Sequence, residues 1–375
     1  MFVFRSRSGL ATAVLLSAAS FLLRLPSVAA EEESASWTSP QSVTVAPAEF
    51  AFTGKSYRHA GTDSLFYAAV FPDGSAFLAN LYRFDTLLFQ TWGIFAAGSD
   101  ASGNWTATTN TIGRGSVVND PNRLSFTSDI ADASREGNRF LLAIRAPEFG
   151  SSLRFTPLVN AWKAGTGRRV FRSDGSVFMD IVMAAPLADV EGSFGPRGAE
   201  RPCSSGRGII MKSLAVLPAS RLAPANHILI LSSDPDAGES DRLFVFAFRY
   251  EPHPDLSGEP EEALLIFRND RWQLATARFS FMPEPPTGGS FPRSIRLSWD
   301  SGESRGRLES RSLELFNTSD VLSSVPGGLR GLAAAVLQSP VFRRFTGRFS
   351  CLIRHPDGTE RVLELNGLYI HTAVQ

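Results

Sequence analysis

Five histidines are the first residues to consider for acid–base or metal chemistry in this chain. They are His59, His227, His253, His355 and His371. None lies at ligand spacing from another His, Cys, Asp or Glu, so the sequence predicts no metal site. His227 begins an apolar segment, and we retain it as a candidate general acid or base. The alternative is a histidine with a purely structural role.

Asp180 is the candidate catalytic carboxylate, because it flanks an apolar segment. A glycosidase would need a second acid facing the same cleft, which spacing along the chain cannot identify. The alternative is a solvated strand end. No Gly-x-Ser-x-Gly segment joins a predicted strand to a predicted helix, and no Walker or Rossmann glycine pattern follows a strand. The sequence therefore predicts neither a serine hydrolase nor a bound cofactor.

Two arginines, Arg83 and Arg249, interrupt otherwise apolar segments. A guanidinium inside a barrel could hold the carboxylate or phosphate head group of a ligand, because it offers two parallel donors. The alternative is an arginine that points outward or pairs with an aspartate. We retain both as candidate ligand-binding residues.

Four aromatic residues share one face of the segment Arg242–Tyr250. Because the side chains of a strand alternate between faces, Phe244, Phe246, Phe248 and Tyr250 point to the same side. Such a face is too apolar for water, so it fills a core or lines a pocket for a hydrophobic ligand. We retain these four aromatic residues as candidate ligand-binding residues.

The charge balance argues against some classes of partner. The 375 residues include 37 basic and 37 acidic side chains, which gives a formal net charge of zero. Such a balance argues against binding to nucleic acid and against electrostatic attachment to a membrane surface.

The N-terminus has the order of a secretory signal. Arg5 and Arg7 precede the uncharged apolar run Gly9–Leu23, and small residues at 28–30 precede the acidic residues 31–33. The run is shorter than the roughly 20 residues of a spanning helix, and no later segment is long enough to span a membrane. We therefore expect residues 1–30 to be removed and the mature protein to be periplasmic or secreted.

Two cysteines, Cys203 and Cys351, would meet oxidising conditions after export. We expect them to form a disulfide, which by chain-entropy estimates would contribute roughly 4–5 kcal/mol. The alternative is a pair of unbonded, buried thiols.

Turn signals indicate an all-β protein. Apolar runs alternate along the chain with short pairs of turn residues, which predict hairpins. A short helix is predicted at 329–337, before Pro340. The turn pairs are Asp73-Gly74, Asp174-Gly175, Asn269-Asp270 and Asp357-Gly358.

Glycine and proline are concentrated between Gly192 and Gly208, where we place a domain boundary. About eight predicted strands lie on either side, which suggests two antiparallel barrels or sandwiches. The predicted organisation is a signal peptide (1–30), an N-terminal domain (35–192), a linker (193–207) and a C-terminal domain (208–375).

Three parts of the chain carry a resemblance to a known family. They are Asp63–Val70, the stretch from Asp174 through Asp180 to Pro186–Gly192, and Val362–Ile370. These segments are similar to the tandem lipocalin-like proteins of the AttH, survival-factor and carotenoid-hydratase group, within the calycin superfamily. The resemblance implies two consecutive antiparallel barrels of eight to ten strands and an apolar ligand.

Enzymes of that family carry a stretch rich in His and Trp where the second barrel begins. The segment assigned to that place here, Gly206–Ser213, contains neither residue. This difference favours a binding role over hydratase or cyclase chemistry.

The sequence thus predicts an exported protein that binds or carries a hydrophobic small molecule, such as a lipid or an isoprenoid. An enzyme acting on an isoprenoid-type substrate and a structural β-protein with filled barrels are the alternatives. We expect the aromatic face of Arg242–Tyr250 to point into the second barrel, together with Phe279 and Phe281. No nucleic-acid partner and no membrane span in the mature chain are expected, and the sequence does not indicate an oligomeric state.

Overall fold

The computed structural model describes residues 45–53, 61–85, 90–164, 166–171, 175–216, 225–233, 242–253, 256, 260–276, 279–284, 292–300, 305–320, 331, 340–354 and 358–374. Over these residues the protein is all-β, as predicted, and short 3-10 helices occur at Pro47–Phe50 and Arg114–Ser116. The first twelve strands are β1 Gly61–Val70, β2 Ala76–Asp85, β3 Gln90–Ser99, β4 Trp105–Ile112, β5 Val118–Asn119, β6 Ser125–Thr127, β7 Ala131–Glu136, β8 Arg139–Arg145, β9 Phe149–Pro157, β10 Arg168–Val170, β11 Phe178–Pro196 and β12 Arg201–Val216. The next nine are β13 Ala225–Ser233, β14 Leu243–Glu251, β15 Glu261–Arg268, β16 Arg271–Thr276, β17 Phe279–Glu284, β18 Ser294–Asp300, β19 Arg305–Asp320, β20 Pro340–Arg354 and β21 Glu360–Val374.

These strands form two curled antiparallel sheets that follow one another in the chain. The first sheet has the order β4-β3-β2-β1-β12-β11-β9-β8-β7-β6-β5, with β10 added to β11. The second has the order β16-β15-β14-β13-β21-β20-β19-β18-β17. In each sheet the first and last long strands lie next to each other, so the sheet curls into a barrel-like unit. This arrangement confirms the predicted fold class.

Local turn chemistry sets the hairpins. Gly74 has a φ of 82° between β1 and β2, and Asn269 and Asp270 have φ values of 53° and 60° between β15 and β16. Tight turns require positive angles of this kind, which Gly, Asn and Asp adopt most readily. These two predicted hairpins are confirmed. The predicted turns at 174–175 and 357–358 lie partly outside the described residues.

Strand alternation divides the buried apolar side chains among three clusters. In β1, Leu65 and Tyr67 belong to the core of the first barrel, whereas Phe66 and Ala68 belong to a cluster shared with the second sheet. A third cluster, which includes Phe345, fills the second barrel. Strands that are apolar on both faces therefore lie between the barrels, where each face meets a different core.

Aromatic residues from the N-terminal segment occupy the first barrel. Phe50 and Phe52 are fully buried there. The Phe52 ring lies 5.1 Å from the ring of Trp92 and 5.5 Å from that of Phe126. These contacts are typical of a packed aromatic core. The interior of the first barrel is therefore filled by protein side chains at this level.

One arginine ties the two sheets together. Arg207 of β12 donates from Nε and Nη2 to the two carboxylate oxygens of Asp270, in the β15–β16 turn, at 2.8 and 2.9 Å. Its Nη1 donates to Asp189 of β11 at 2.8 Å. A bidentate pair of this kind has a defined geometry, so it helps to orient one sheet against the other.

Residues 193–207, predicted as a linker, form a hairpin within the first sheet. Phe194 of β11 pairs with Arg201 of β12, and the pairing continues inward from there. Close packing requires glycine at position 192, because a Cβ there would lie 2.0 Å from the Ser152 carbonyl oxygen. Residues 208–216 also belong to the first sheet, and the second sheet begins at Ala225. The division of the chain into two separate domains stays a prediction.

The two cysteines are not bonded to each other. Cys203 packs against the core of the first barrel, whereas Cys351 is buried in the core of the second. The predicted Cys203–Cys351 disulfide is therefore absent, because strand order places the two thiols in different cores. Burial raises the pKa of each thiol to about 12, which disfavours the reactive thiolate.

Two further predictions fall on undescribed parts of the chain. The signal peptide (1–30) lies outside the described residues, and so does nearly all of the predicted helix at 329–337. Within the described ranges, no helix is long and apolar enough to span a membrane.

Candidate ligand-binding cavity between the barrels

A cavity of about 200 Å³ lies between the two sheets. Its wall joins the outward faces of β1, β2, β3, β11 and β12 to strands of the second sheet, chiefly β13, β20 and β21. A mostly apolar wall with a few polar groups is typical of a small-molecule site. The apolar side chains include Phe66, Leu78, Phe84, Phe95, Met179, Met211, Ile228, Phe342 and Ile370, and the polar ones include Ser64, Asn80, Tyr82, Ser213, Asn226, Tyr250, Asp320, Arg344 and Thr372.

Arg344 of β20 is the buried cation of this cavity. Only 5% of the residue is exposed. Its guanidinium carbon lies 3.5 Å from the centre of the Phe95 ring, which belongs to the first sheet. Nη1 donates to Asn317 Oδ1 at 2.6 Å and to Ser319 Oγ at 2.8 Å. Burial lowers the pKa of Arg344 to about 9, so the side chain remains charged at neutral pH.

The Arg344 charge has only neutral partners. Within the described part of the chain its guanidinium forms no ion pair, and its hydrogen bonds involve Nη1 alone. A buried charge without a counter-ion is costly, and native proteins usually pair such a group. Nε and Nη2 remain available as the parallel donors that bind a carboxylate or a comparable oxyanion.

A row of hydroxyl groups lies on the first-sheet wall of the cavity. Ser64 and Ser213 are opposite each other on β1 and β12, and their Oγ atoms are 2.7 Å apart. Tyr82 lies on β2, where it is opposite Ser64 of β1 on one side and opposite Gly93 of β3 on the other. A Cβ on Gly93 would lie 2.4 Å from the Tyr82 ring, so glycine at this position makes room for the ring.

Asn80 places an amide in the same cavity wall as Arg344. It is directly opposite Phe95 on the neighbouring strand, and paired residues of an antiparallel ladder share a face. Its Oδ1 is buried and forms no hydrogen bond with any described residue. Buried polar atoms normally have partners, so an amide of this kind in a cavity wall marks a position where a ligand could bind.

The predicted aromatic face points away from the second barrel. Phe244, Phe246, Phe248 and Tyr250 belong to the cluster between the sheets, and the opposite face of β14 packs into the second barrel. Of the predicted companions, Phe281 is in the core of the second barrel, and Phe279 packs against that core. Of the four aromatic residues on this face of β14, Tyr250 lines the inter-barrel cavity. The expected direction was wrong because both faces of β14 are apolar, so its pattern does not distinguish inside from outside.

The two arginines predicted to bind a ligand have carboxylate partners. Arg83 is buried and pairs with Asp85 at 2.8 Å. Arg249 lies within 3.3 Å of Glu251 and 3.2 Å of Glu262. Neither lines the inter-barrel cavity. Their role in ligand binding stays a prediction, and the described contacts correspond to the paired alternative.

The two predicted acid–base candidates lie far apart in the fold. Asp180 forms a two-point ion pair with Arg168, with both distances 2.7 Å, in the wall of a cavity that Leu214 of the first sheet also lines. His227 is buried in the second barrel, where its Nδ1 lies 2.7 Å from the Tyr369 hydroxyl. Among the described residues, no group of three or more His, Cys, Asp and Glu side chains is arranged to hold a metal ion.

Sequence reasoning missed Arg344, although a signal was present. Arg343 and Arg344 are consecutive in an apolar strand, and strand alternation sends them to opposite faces. If both faces of the strand are buried, both arginines are buried, and each then needs a counter-charge or a ligand. Arg83 and Arg249, each the single arginine of an otherwise apolar segment, have carboxylate partners instead.

Comparisons with known proteins concern the fold. No family model and no curated protein sequence matches this chain. Solved structures do match it, and three of them are 10–14% identical to this chain. CghA, crystallised with Sch210972, matches with a TM-score of 0.59 over 90% of this chain and 98% of its own. Kievitone hydratase from Nectria haematococca matches with a TM-score of 0.56 over 90% and 95% of the two chains.

An AttH-type protein from Nitrosomonas europaea also matches, with a TM-score of 0.57 over 92% of this chain and 98% of its own. The match thus covers both sheets in succession. The chain has a tandem lipocalin-like fold.

The tandem lipocalin-like fold changes one inference from the sequence. Gly206–Ser213 was taken as the start of the second barrel, but these residues belong to β12 of the first sheet. The second sheet starts with β13, and His227 is its third residue. A missing histidine at the start of the second barrel therefore no longer argues against catalysis.

Proposed function

We propose that this chain binds a small amphipathic molecule between its barrels, with an acidic or enolic oxygen at Arg344 and an apolar body along the cavity wall. Arg344 carries the proposal, because it is a buried guanidinium whose partners are neutral. A bound anion would supply the missing counter-charge. Phe66, Met179 and Met211 offer the apolar wall for the remainder of the ligand. We also propose that the protein is exported, as its N-terminal sequence predicts.

The first prediction tests the charge at this site with two matched probes. At neutral pH 2-naphthoic acid is an anion, whereas 2-naphthalenemethanol has the same rings and no charge. Arg344→Gln is expected to weaken naphthoate binding by about ten- to a hundred-fold, because the charged hydrogen bonds are lost. Binding of the neutral alcohol is expected to change little. Isothermal titration calorimetry measures both affinities.

Arg348→Gln is the matched control, since Arg348 lies on the same strand and is exposed. It should leave both affinities unchanged, and circular dichroism should confirm that both variants are folded. Equal binding of the two probes by the wild-type protein would contradict the proposal. The same conclusion follows if Arg344→Gln binds naphthoate as tightly as the wild type does.

Catalysis in the same cavity is the second candidate function. The name of the matched kievitone hydratase supports it, as does the presence of Arg344, Asn80 and Tyr82 in the wall of one cavity. Donors that converge on one point stabilise the negative charge that develops on a carbonyl oxygen during addition or cyclisation. This candidate differs from a carrier in that the ligand leaves the cavity chemically changed.

The second prediction separates catalysis from carriage. We expect a hydratase to convert kievitone to a product heavier by one water molecule, detected by mass spectrometry. Arg344→Gln should then lower turnover by about a hundred-fold. If the wild-type protein binds kievitone and releases it unchanged, the result favours a carrier over a hydratase.

A further inference from the structure

A row of basic side chains crosses four adjacent strands inside the second barrel. Arg343 of β20 is directly opposite His371 of β21, and His371 is opposite His227 of β13. His227 is in turn opposite Arg249 of β14. Opposed residues of an antiparallel ladder share a face, so these four residues form one continuous row.

This row has its own apolar surroundings. Phe345, two residues after Arg343, and Tyr369, two residues before His371, both belong to the core of the second barrel. The His227 ring lies 5.1 Å from the Phe281 ring. The row is therefore on the opposite side of β20 from Arg344, and it is separate from the inter-barrel cavity.

One end of the row is satisfied by protein groups. Arg249 lies near Glu251 and Glu262, at 3.3 and 3.2 Å. His227 is hydrogen-bonded through Nδ1 to the Tyr369 hydroxyl at 2.7 Å. Its ring also stacks on His371, with ring centres 5.1 Å apart. Arg249 and His227 therefore both have protein partners at this end of the row.

The other end of the row lacks partners among the described residues. Arg343 is 7% exposed, and its guanidinium forms no hydrogen bond or ion pair there. His371 is 9% exposed, and its Nδ1 is buried without a hydrogen-bond partner. A buried cation next to a buried unpaired imidazole nitrogen is an arrangement that proteins normally complete with an acceptor.

We propose that Arg343 and His371 form a second ligand site, which binds the carboxylate of an organic acid at the end of the second barrel. The guanidinium supplies a planar pair of donors, and the imidazole adds a third contact to the same anion. A carboxylate fits this site because its charge balances Arg343, and its apolar remainder would face Phe345 and Tyr369. The site is independent of the inter-barrel cavity and of the function proposed for it.

The protonation of His371 reports on this site. Burial and, to a smaller extent, the neighbouring Arg343 charge together lower the pKa of His371 to about 4. The other charged or titratable groups facing it are His227, Tyr369 and Arg249 with its two glutamates. A bound anion favours the charged imidazole, so it should raise the pKa of His371, and binding should strengthen as pH falls.

The third prediction is tested by histidine NMR on the full chain, with the His371 signal assigned from the variant His371→Phe. Acetate and octanoate are added in separate titrations at several pH values. Saturable shifts of the His371 signal are expected, together with a raised His371 pKa. Arg343→Gln should weaken this binding about ten-fold or more, because charge-assisted hydrogen bonds are lost. Tighter binding of octanoate than of acetate would identify the head group of an amphiphile, and equal binding would identify a free small acid.

Arg348→Gln, an exposed substitution on the same strand, should leave the His371 response unchanged. If Arg343→Gln does not fold, Arg343→Lys keeps the charge without the planar donor pair and should show intermediate affinity. A His371 signal that does not respond to either acid overturns the proposal. A response that is the same in wild type and in the Arg343 variants also overturns it.

Discussion

Replacing Phe246 with alanine is expected to lower the free energy of unfolding by roughly 3–5 kcal/mol, the usual range for truncating a buried aromatic. Phe246 is fully buried between the sheets. Its neighbours across the ladder, Ile230 and Leu265, are also fully buried, and its ring lies 5.9 Å from that of Phe248. Because buried side chains surround Phe246, the protein can relax only a little around the substitution, and a void would remain where the ring had been. Urea unfolding at constant pH measures the change.

The same variant should bind 2-naphthoic acid nearly as well as the wild type, because Phe246 does not line the inter-barrel cavity. Val362→Ala serves as the control, since Val362 is 61% exposed and its truncation should change stability by about 0.5 kcal/mol or less. A small loss of stability for Phe246→Ala, combined with altered naphthoate affinity, would contradict this assignment. It would place Phe246 in the wall of a ligand cavity.

The aromatic face of β14 shows what strand periodicity can and cannot predict about the position of a side chain. Alternation correctly predicts that Phe244, Phe246, Phe248 and Tyr250 share a face, because this follows from local backbone geometry. The direction of that face depends on which sheet packs against it. Since Leu243, Val245 and Ala247 on the opposite face are equally apolar, the sequence holds no signal that separates barrel interior from inter-barrel contact.

The glycines show a second limit of prediction from sequence, which concerns the structural reason for each glycine. The hairpins at Gly74 and Asn269-Asp270 were predicted because positive backbone angles are a local requirement. Gly192 and Gly208 were taken as the limits of a domain boundary, yet they lie in long paired strands. A Cβ on Gly208 would lie 2.5 Å from the Ala68 carbonyl oxygen, so close backbone approach explains this glycine. That reason involves residues far away in sequence, and composition alone does not contain it.

The candidate sites were predictable in kind and not in position. Arginine inside a barrel was expected to hold an acidic head group, whereas Arg344, which has the burial and the neutral partners that such a role requires, lies between the barrels. Arg83 and Arg249 have the same sequence signature but meet carboxylates in the fold. Pairing depends on cross-strand register, which only the assembled sheets define.

Acidification from pH 7 to pH 5 is expected to lower the free energy of unfolding by roughly 3–4 kcal/mol through His227 and His371. Burial, His371 and Arg249 lower the pKa of His227 to about 3, and burial and Arg343 lower that of His371 to about 4. Both imidazoles are therefore neutral in the folded protein and become protonated near pH 6.5 when unfolded. Below pH 6.5 the unfolded state binds more protons, so stability falls as pH decreases toward the folded-state values. Urea unfolding at pH 7, 6 and 5 in a buffer without carboxylates measures the slope.

His371→Phe should remove about half of this pH dependence, because one buried imidazole then no longer titrates. Carboxylates such as Asp100 and Glu309 contribute little between pH 7 and pH 5, because their folded-state pKa values are lowered and the usual unfolded-state values, about 3.9 for Asp and about 4.3 for Glu, also lie below pH 5. A free energy of unfolding that is flat between pH 7 and pH 5 would contradict buried neutral imidazoles at both positions.

The Arg343–His371 site adds a further expectation, because a bound carboxylate favours protonated His371. Acid should therefore destabilise the protein less in acetate than in a buffer without carboxylates, and only while Arg343 is present.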